Sequence, residues 1–288
     1  MNTHHDLLIR GGTVIDGTQA PRVDADIAIR DGRIAAIGDL AGATAERVLD
    51  ARGRIVAPGF IDSHTHDDQA VLSQAHVGYK VSQGVTTVIA GNCGISAAPL
   101  SADMELPMPL SLIDAPRHAR HGSFASYLNA LRAQPASVNV AAMVGHSTLR
   151  ALVMADLDRP ANAAETATMR SHVEEALRAG AIGMSTGTFY PPAAHATTDE
   201  IIEVGRPLSA HKALYVTHMR DEGDRVMEAL DEPSASAAHS ALRWWCRTTR
   251  CRTRRTSARR RSRCPSSRRR CSTSASAWIA TPTRPAPP

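Results

Sequence analysis

The stretch Val56-Ala-Pro-Gly-Phe-Ile-Asp-Ser-His64-Thr-His66-Asp-Asp68 decides how the chain is organised. An apolar run leads to two histidines that lie two positions apart, and acidic residues follow them. On a β-strand, positions i and i+2 face the same side. We therefore expect His64 and His66 to project together from a strand end, which suits two imidazole ligands of one metal ion. A polar loop that happens to contain histidines would show the same sequence pattern. The assignment of the pair to a metal site therefore depends on other residues of the chain.

Downstream of residue 55 the sequence alternates between strand and helix patterns. Strand patterns cover 55–61, 84–90, 138–144, 181–185 and 213–217. Helix patterns cover 69–83, 124–134, 163–179 and 198–211. Such alternation predicts an α/β fold with a parallel sheet, and the order suits a (β/α) barrel. We assign residues 55–232 to a partial barrel that carries the metal site.

Upstream of the barrel, residues 1–54 predict the N-terminal part of a small β-domain, of β-sandwich type. Brief apolar or β-branched runs at 7–9, 13–15, 27–29 and 34–37 are separated by glycine-containing pairs. Asp31-Gly32 lies between two of these runs and is a hairpin signal.

The overall composition excludes some classes of protein. The N-terminus has no basic region followed by an apolar run, and no stretch reaches 18 consecutive apolar residues. We therefore expect neither a signal peptide nor a membrane span, and a cytoplasmic location is the default. Cys93 is the only cysteine in residues 1–232, and the other four lie in the last 56 residues. Without a secretory signal, a disulfide framework is disfavoured.

Polar side chains come at or just after the carboxyl ends of the predicted strands. They are His64, His66, Cys93, His146, Tyr190 and His218. Barrel enzymes assemble their active sites at that face, so we expect these side chains to converge. His146 stays open between a structural role and a role near the substrate, since lone histidines often serve in packing and hydrogen bonding.

His64, His66, Cys93 and His218 make a plausible set of zinc ligands. Imidazole and thiolate are good zinc ligands, and a catalytic zinc keeps one position for water. A cysteine beside a metal ion would be deprotonated and could bridge two ions. The alternative for Cys93 is a small buried apolar residue. Its position in the loop Gly91-Asn-Cys-Gly94 argues against burial inside a helix or strand.

Four segments resemble the N-acyl-D-amino-acid deacylases (D-aminoacylases) of the amidohydrolase superfamily. The segments are 57–66, 84–100, 183–192 and 217–222. The resemblance extends over about residues 6–232. The His-x-His segment is shared across the superfamily, whereas Asn92-Cys93-Gly94 resembles the deacylase branch, where cysteine replaces the carboxylated lysine of related enzymes.

The resemblance implies a role for each matching residue. Cys93 and His218 would hold the tight zinc ion together with a histidine from the next strand. His64 and His66, with bridging Cys93, would form a weaker second position, and Tyr190 would contact the substrate. The implied reaction is hydrolysis of N-acyl-D-amino acids, small-molecule substrates, to a D-amino acid and a carboxylate. The implied general base is an aspartate late in the barrel, and we identify no catalytic residue in this chain.

The resemblance stops at Glu232, and the remaining residues differ sharply in composition. Residues 233–288 contain 14 arginines and no lysine, aspartate or glutamate. Removing these 14 from the 33 basic residues leaves 19 against 28 acidic residues in 1–232, a net charge of −9. An acidic body thus precedes a basic tail of low complexity. The composition is typical of disorder, and it is also what a change of reading frame would produce.

The genetic code favours the second explanation. In the alternative reading frame, each codon consists of the third base of one written codon and the first two bases of the next. The written pairs Trp244-Trp245 and Trp245-Cys246 then each encode valine, whichever synonymous codons are used. The written pair Trp278-Ile279 likewise encodes aspartate. With permitted third bases, 246–251 can read Ser-His-His-Lys-Val, which resembles the next barrel strand. One base lost near codon 232 would suffice.

A shifted frame would remove the next ligand histidine, the late aspartate and the remaining strands. An unclosed barrel exposes two sheet edges, so we expect the chain as written to be unstable and inactive. It would then be an inactive pseudogene product of deacylase ancestry. Another amidohydrolase, acting on cyclic amides or dipeptides, is a second reading, disfavoured because such enzymes generally use lysine where Cys93 lies. A nucleic-acid binder acting through the arginines is a third, but no binding fold is recognisable and we expect no nucleic-acid partner.

Overall fold

The computed structural model describes residues 4–113 and 116–232 and the backbone of 243–247. The chain divides into two compact units, Met1–Phe60 and Ile61–Pro288. Apart from the backbone of Arg243–Arg247, the basic tail that begins at residue 233 lies outside the described residues.

The first unit is built on one mixed sheet of five strands. These are β1 (His4–Val14), β2 (Val23–Arg30), β3 (Arg33–Gly38), β4 (Thr44–Asp50) and β5 (Ile55–Val56). Strands β1, β2 and β3 pair antiparallel in sequence order, while β4 and β5 both pair with β1 in parallel. Asp31 and Gly32 join β2 to β3 with positive φ angles of 53° and 67°. The predicted hairpin is therefore present, with the left-handed residues that two-residue turns favour.

Two details of this unit differ from the expectation. The runs 7–9 and 13–15 belong to one strand, because Gly11-Gly12 forms an irregularity inside β1 rather than a turn. Gly11 takes a φ of +68°, and the register shifts between Ile9 and Gly12, as in a β-bulge. Strand β4 was not predicted, because nearly all of its residues are exposed and its sequence has no apolar alternation.

The second unit contains two sheets and their connecting helices. Its strands are β6 (Phe60–Asp62), β7 (Val85–Ala90), β8 (Asn139–Ala142), β9 (Val144–Gly145), β10 (Gly183–Gly187), β11 (Leu214–His218) and β12 (Arg243–Arg247). Its helices are α1 (Ala70–Ser73), α2 (Gly78–Val81), α3 (Phe124–Ala133), α4 (His146–Val153), α5 (Ala163–Ala179), α6 (Pro191–Ala194), α7 (Thr198–Gly205) and α8 (Pro207–Ala210). Two 3₁₀ turns cover Leu110–Ile113 and Arg117–Ala119.

The strands follow the order expected of an incomplete (β/α) barrel. One sheet has the order β6-β7-β8 and the other β9-β10-β11-β12. The pairs β7–β8, β9–β10, β10–β11 and β11–β12 are parallel. The predicted α/β class and the parallel order of the strands are therefore confirmed.

Helix α5 shows why the predicted helices form. Asn162 caps it, accepting hydrogen bonds from the backbone N–H groups of residues 164 and 165, and Glu165 completes the capping box. Its buried residues recur at helical spacing and pack into the large core cluster; they are Met169, Val173, Ala176 and Leu177. Gly180 ends the helix at a φ of 119°. No helix among the described residues is long and apolar enough to cross a bilayer.

Prolines divide two predicted elements. The expected strand 55–61 consists of β5 and β6, with Pro58 between them. Proline has no N–H to donate to a sheet, so the pairing stops there. The expected helix 198–211 is divided into α7 and α8, and Pro207 begins the second piece.

The tail contains a strand that its sequence does not predict. Strand β12 pairs with β11 in parallel, and residue 247 is the register partner of His218. An edge strand presents a row of unpaired N–H and C=O groups, which can pair with an extended segment whatever its side-chain pattern. The absence of an apolar period therefore did not exclude a strand here.

Strands β10 and β11 approach each other closely at Gly183, and a substitution there tests this contact. A Cβ atom at Gly183 would lie 2.1 Å from the carbonyl oxygen of Leu214. We expect Gly183→Ala to lower the free energy of unfolding by about 1–3 kcal/mol, measured by urea denaturation, because the strands must separate. Gly122→Ala is the matched control, since its Cβ would meet open space. Equal effects of the two substitutions would contradict the close approach.

Candidate metal centre

A thiol lies between imidazoles at the carboxyl end of the strands. Cys93 Sγ is 3.2 Å from His64 Nε2 and 3.6 Å from His218 Nδ1. The available ligand atoms of His64, His66 and Cys93 all lie within 4.8 Å of one another. Cys93 and His218 are buried, His64 is half-buried and His66 is exposed. The four predicted ligands therefore come together, with Cys93 shared between the two sides.

The two histidines reach this position from a loop and not from a strand. Strand β6 ends at Asp62, before His64 and His66. Both the N–H and the hydroxyl of Thr65 donate to the carbonyl of Ile89 at 3.2 Å, which ties the loop to β7. The two imidazole rings stand edge to face with centroids 5.5 Å apart. The pair follows a strand end, as expected, and its loop is held in place by the hydrogen bonds of Thr65 to β7.

Cys93 lies in a left-handed turn directly after β7. Its φ is +55°, and Gly91 and Gly94 also have positive φ angles, of 77° and 76°. The N–H of Ile95 donates to the carbonyl of Asn92 at 2.9 Å, which closes a four-residue turn around Cys93. A side chain in this backbone region costs about 1–2 kcal/mol, and such strain clusters at functional sites.

His218 ends strand β11 and is oriented by a carboxylate. Its Nε2 lies 3.0 Å from Glu222 Oε1, and its Nδ1 faces Cys93. The hydroxyl of Tyr190 is 3.4 Å from the same Nδ1. An ionised carboxylate accepts hydrogen bonds, so the contact with Glu222 favours a proton on Nε2 and leaves Nδ1 facing Cys93. Sequence reasoning missed Glu222, although its spacing of four residues from His218 was visible.

Two further side chains join the loops that carry the ligands. Asn92 Nδ2 donates to the carbonyls of Ile89 at 2.8 Å and Thr65 at 3.3 Å. Asp68 is fully buried and accepts a hydrogen bond from Ala97 N at 3.3 Å. Burial raises the pKa of Asp68 to about 6, although backbone N–H groups partly offset this. The loop with His64 and the loop with Cys93 are thus linked by direct contacts.

The donor set fits a divalent transition-metal ion. Imidazole nitrogen and cysteine sulfur are the ligand types that zinc prefers. His64, His66 and Cys93 offer three ligand atoms, and a catalytic zinc site keeps its fourth position for water or substrate.

His146, left open by its sequence, lies in a buried ionic network. Its Nε2 is 3.1 Å from Glu200 Oε1, and Arg150 Nη1 contacts the same oxygen at 2.5 Å. Arg150 also donates to the carbonyl of Pro192 at 2.6 Å. Pro192 lies two residues after Tyr190, so the network supports the segment that carries this tyrosine. His146 therefore has a structural role.

Comparisons with known proteins show the family of this chain. A model of the amidohydrolase family matches residues 47–259, and the chain belongs to this family. Over 227 residues it is 60% identical to the D-aminoacylase of Alcaligenes xylosoxydans xylosoxydans, covering 79% of this chain and 47% of that protein.

Two solved structures are also similar. One is a D-aminoacylase studied for its binuclear metal centre, at 53% identity and a TM-score of 0.81, covering 83% of this chain and 50% of that one. The other is the N-acyl-D-glutamate deacylase of Bordetella bronchiseptica with zinc and a phosphonate mimic of the tetrahedral intermediate. It is 37% identical with a TM-score of 0.80, covering 94% of this chain and 57% of that one. The predicted resemblance to the deacylases is confirmed, and the chain spans about half the length of these relatives.

The stability that Glu200 contributes through the buried network should depend on pH. Burial raises the pKa of Glu200, but His146, Arg150 and the N–H of Ala161 outweigh it and lower the pKa from 4.5 to about 2. The ionised carboxylate therefore stabilises the folded chain above about pH 4.5, and this contribution is lost as the pH falls towards 2. We expect Glu200→Gln to lower the free energy of unfolding by about 3–5 kcal/mol at pH 7, in urea titrations, and by less at pH 3.

Glu174→Gln is the control for this effect. Glu174 also pairs with an arginine and a histidine, but both contacts lie at the surface. Its substitution should change stability little at either pH. A Glu200→Gln penalty that does not depend on pH would mean that packing, and not the ionic pair, explains it.

Proposed function

We propose that this chain carries part of the active site of a zinc-dependent hydrolase that cleaves N-acyl-D-amino acids into a D-amino acid and a carboxylate. The observation that carries the proposal is Cys93 Sγ lying between His64 and His218 at the carboxyl end of the strands. The relatives of this chain support the substrate class, since they include a D-aminoacylase and an N-acyl-D-glutamate deacylase.

The four candidate ligands would divide between two metal positions, with the sulfur of Cys93 in both. Cys93 and His218 would hold the zinc ion on one side, and His64 and His66 would hold a second ion with the same sulfur. A metal ion bound here would polarise the amide carbonyl of the substrate and lower the pKa of a water molecule bound to the metal. Binding requires the neutral imidazole of His218 and the thiolate of Cys93.

The surrounding residues orient the ligands and the substrate. Glu222 Oε1 lies 3.0 Å from His218 Nε2 and would hold the proton on that nitrogen. Nδ1 then remains available to bind a metal ion. The Tyr190 hydroxyl lies 3.4 Å from that Nδ1, within reach of a substrate bound at the metal. We assign no general base among residues 4–113 and 116–232, and we place it later in the family's barrel.

We also propose that the reading frame changes near codon 232. Residues 233–288 hold 14 arginines and no acidic residue, unlike the body of the chain. The backbone of β12 supports this proposal, because it lies beside β11 with residue 247 level with His218. In the other frame, codons 247–249 can encode the two histidines of Ser-His-His-Lys, which would supply the missing ligand at this level.

The activity test compares two proteins. The chain as written should release no D-amino acid from N-acetyl-D-methionine when loaded with zinc, because the third ligand of the tight position and the base are missing. The protein from a gene with one base restored at codon 232 should hydrolyse the D-substrate and not its L-enantiomer. Hydrolysis of a cyclic amide instead would reject the substrate class, and zinc-dependent deacylase activity in the 288-residue chain would reject the frame proposal.

Sequencing the DNA across codons 228–236 tests the frame directly. We expect the loss of one base relative to the frame of the relatives. An uninterrupted frame, together with tail peptides such as 272–284 identified by mass spectrometry, would contradict it.

A further inference from the structure

Ser185 lies directly beneath the turn that presents Cys93. It is fully buried in the middle of β10, between β9 and β11. Its hydroxyl donates to the carbonyl of Gly91 at 2.5 Å and accepts the N–H of Gly94 at 2.9 Å. One hydroxyl therefore joins the residues on both sides of Asn92 and Cys93.

Neighbouring backbone lies so close to the Cys93 turn that a side chain would not fit at Gly91 or Gly187. A Cβ at Gly91 would lie 2.0 Å from the carbonyl oxygen of Met143, and one at Gly187 would lie 2.1 Å from that of Cys93. The backbone of the turn therefore packs closely against neighbouring backbone. The hydroxyl of Ser185 satisfies the carbonyl of Gly91 and the N–H of Gly94.

The conformation that Ser185 braces is costly for cysteine. Asparagine and glycine accept positive φ readily, whereas cysteine at +55° does so only when its surroundings impose it. The φ of Cys93 sets the direction of its Cα–Cβ bond, and so the position of Sγ between His64 and His218. Relaxing the turn would move the sulfur relative to both imidazoles.

We infer that Ser185 is a positioning residue for the metal centre, which holds the Cys93 turn in its left-handed form and so aims the sulfur at the metal. The inference rests on the proposed metal-binding role of Cys93. Without the hydroxyl, the N–H of Gly94 and the carbonyl of Gly91 lose a buried partner, which favours a different backbone path. Groups that orient metal ligands in this way typically change affinity by about 10- to 100-fold.

The test is a Co²⁺ titration of the full 288-residue chain, following the thiolate-to-cobalt absorption in the near ultraviolet. We expect Ser185→Ala to raise the Kd for Co²⁺ about 10- to 100-fold and to weaken the absorption band at saturation. Thr186→Val is the matched control. Thr186 is equally buried on the same strand, but its hydroxyl bonds Tyr215 at 3.0 Å and Thr217 at 2.8 Å and does not touch the Cys93 turn.

Thr186→Val should lose stability while keeping the Kd and the band of the parent chain. If Ser185→Ala behaves like Thr186→Val, Ser185 is only a buried hydroxyl and the inference fails. If the parent chain itself shows no thiolate band with Co²⁺, the proposed metal centre fails instead.

A second variant covers the case in which Ser185→Ala does not fold. Glycine at position 93 takes a positive φ without strain, so Cys93→Gly removes the conformation that Ser185 has to enforce. We expect Cys93→Gly to recover folding in the Ser185→Ala chain, measured by circular dichroism, and to do so more than in the Thr186→Val chain. Equal recovery in both backgrounds, or none in either, would overturn the inference.

Discussion

The position of one sulfur atom governs the rest of this site. Cys93 Sγ lies within 3.6 Å of imidazole nitrogens that come from segments more than 150 residues apart, His64 and His218. It can do so only because the backbone at Cys93 is left-handed, and that conformation depends on glycines and buried hydrogen bonds around it. The barrel strands β7, β10 and β11 therefore act together as the support for a single side chain.

The contacts that support Cys93 are mostly polar and buried. Asn92 and Thr65 tie the two ligand loops to β7, and Glu222 fixes the imidazole of His218. Further out, the network of Arg150 and Glu200 holds the segment after Tyr190. Buried polar groups are stabilising only when each has its partner, so such a site is either held in one geometry or lost.

The sequence predicted which candidate ligand side chains come together better than it predicted what holds them in position. His64, His66, Cys93 and His218 could be predicted because strand ends converge in a barrel and because metal-binding residue types are rare together. The hairpin at Asp31-Gly32 and helix α5 followed from local signals. Ser185 and Glu200 could not be found, because a serine in a strand and a glutamate in a helix are ordinary until their partners from distant segments are known. The backbone of β12 escaped prediction because it depends on the edge of β11 and not on its own side chains.

X-ray absorption at the zinc edge of the zinc-loaded chain tests most directly whether Cys93 is a metal ligand. We expect a mixed coordination sphere, with one sulfur at about 2.3 Å and nitrogen or oxygen at about 2.0–2.1 Å. The sulfur contribution should be absent in Cys93→Ser. A shell of nitrogen and oxygen alone in the parent chain would contradict the account.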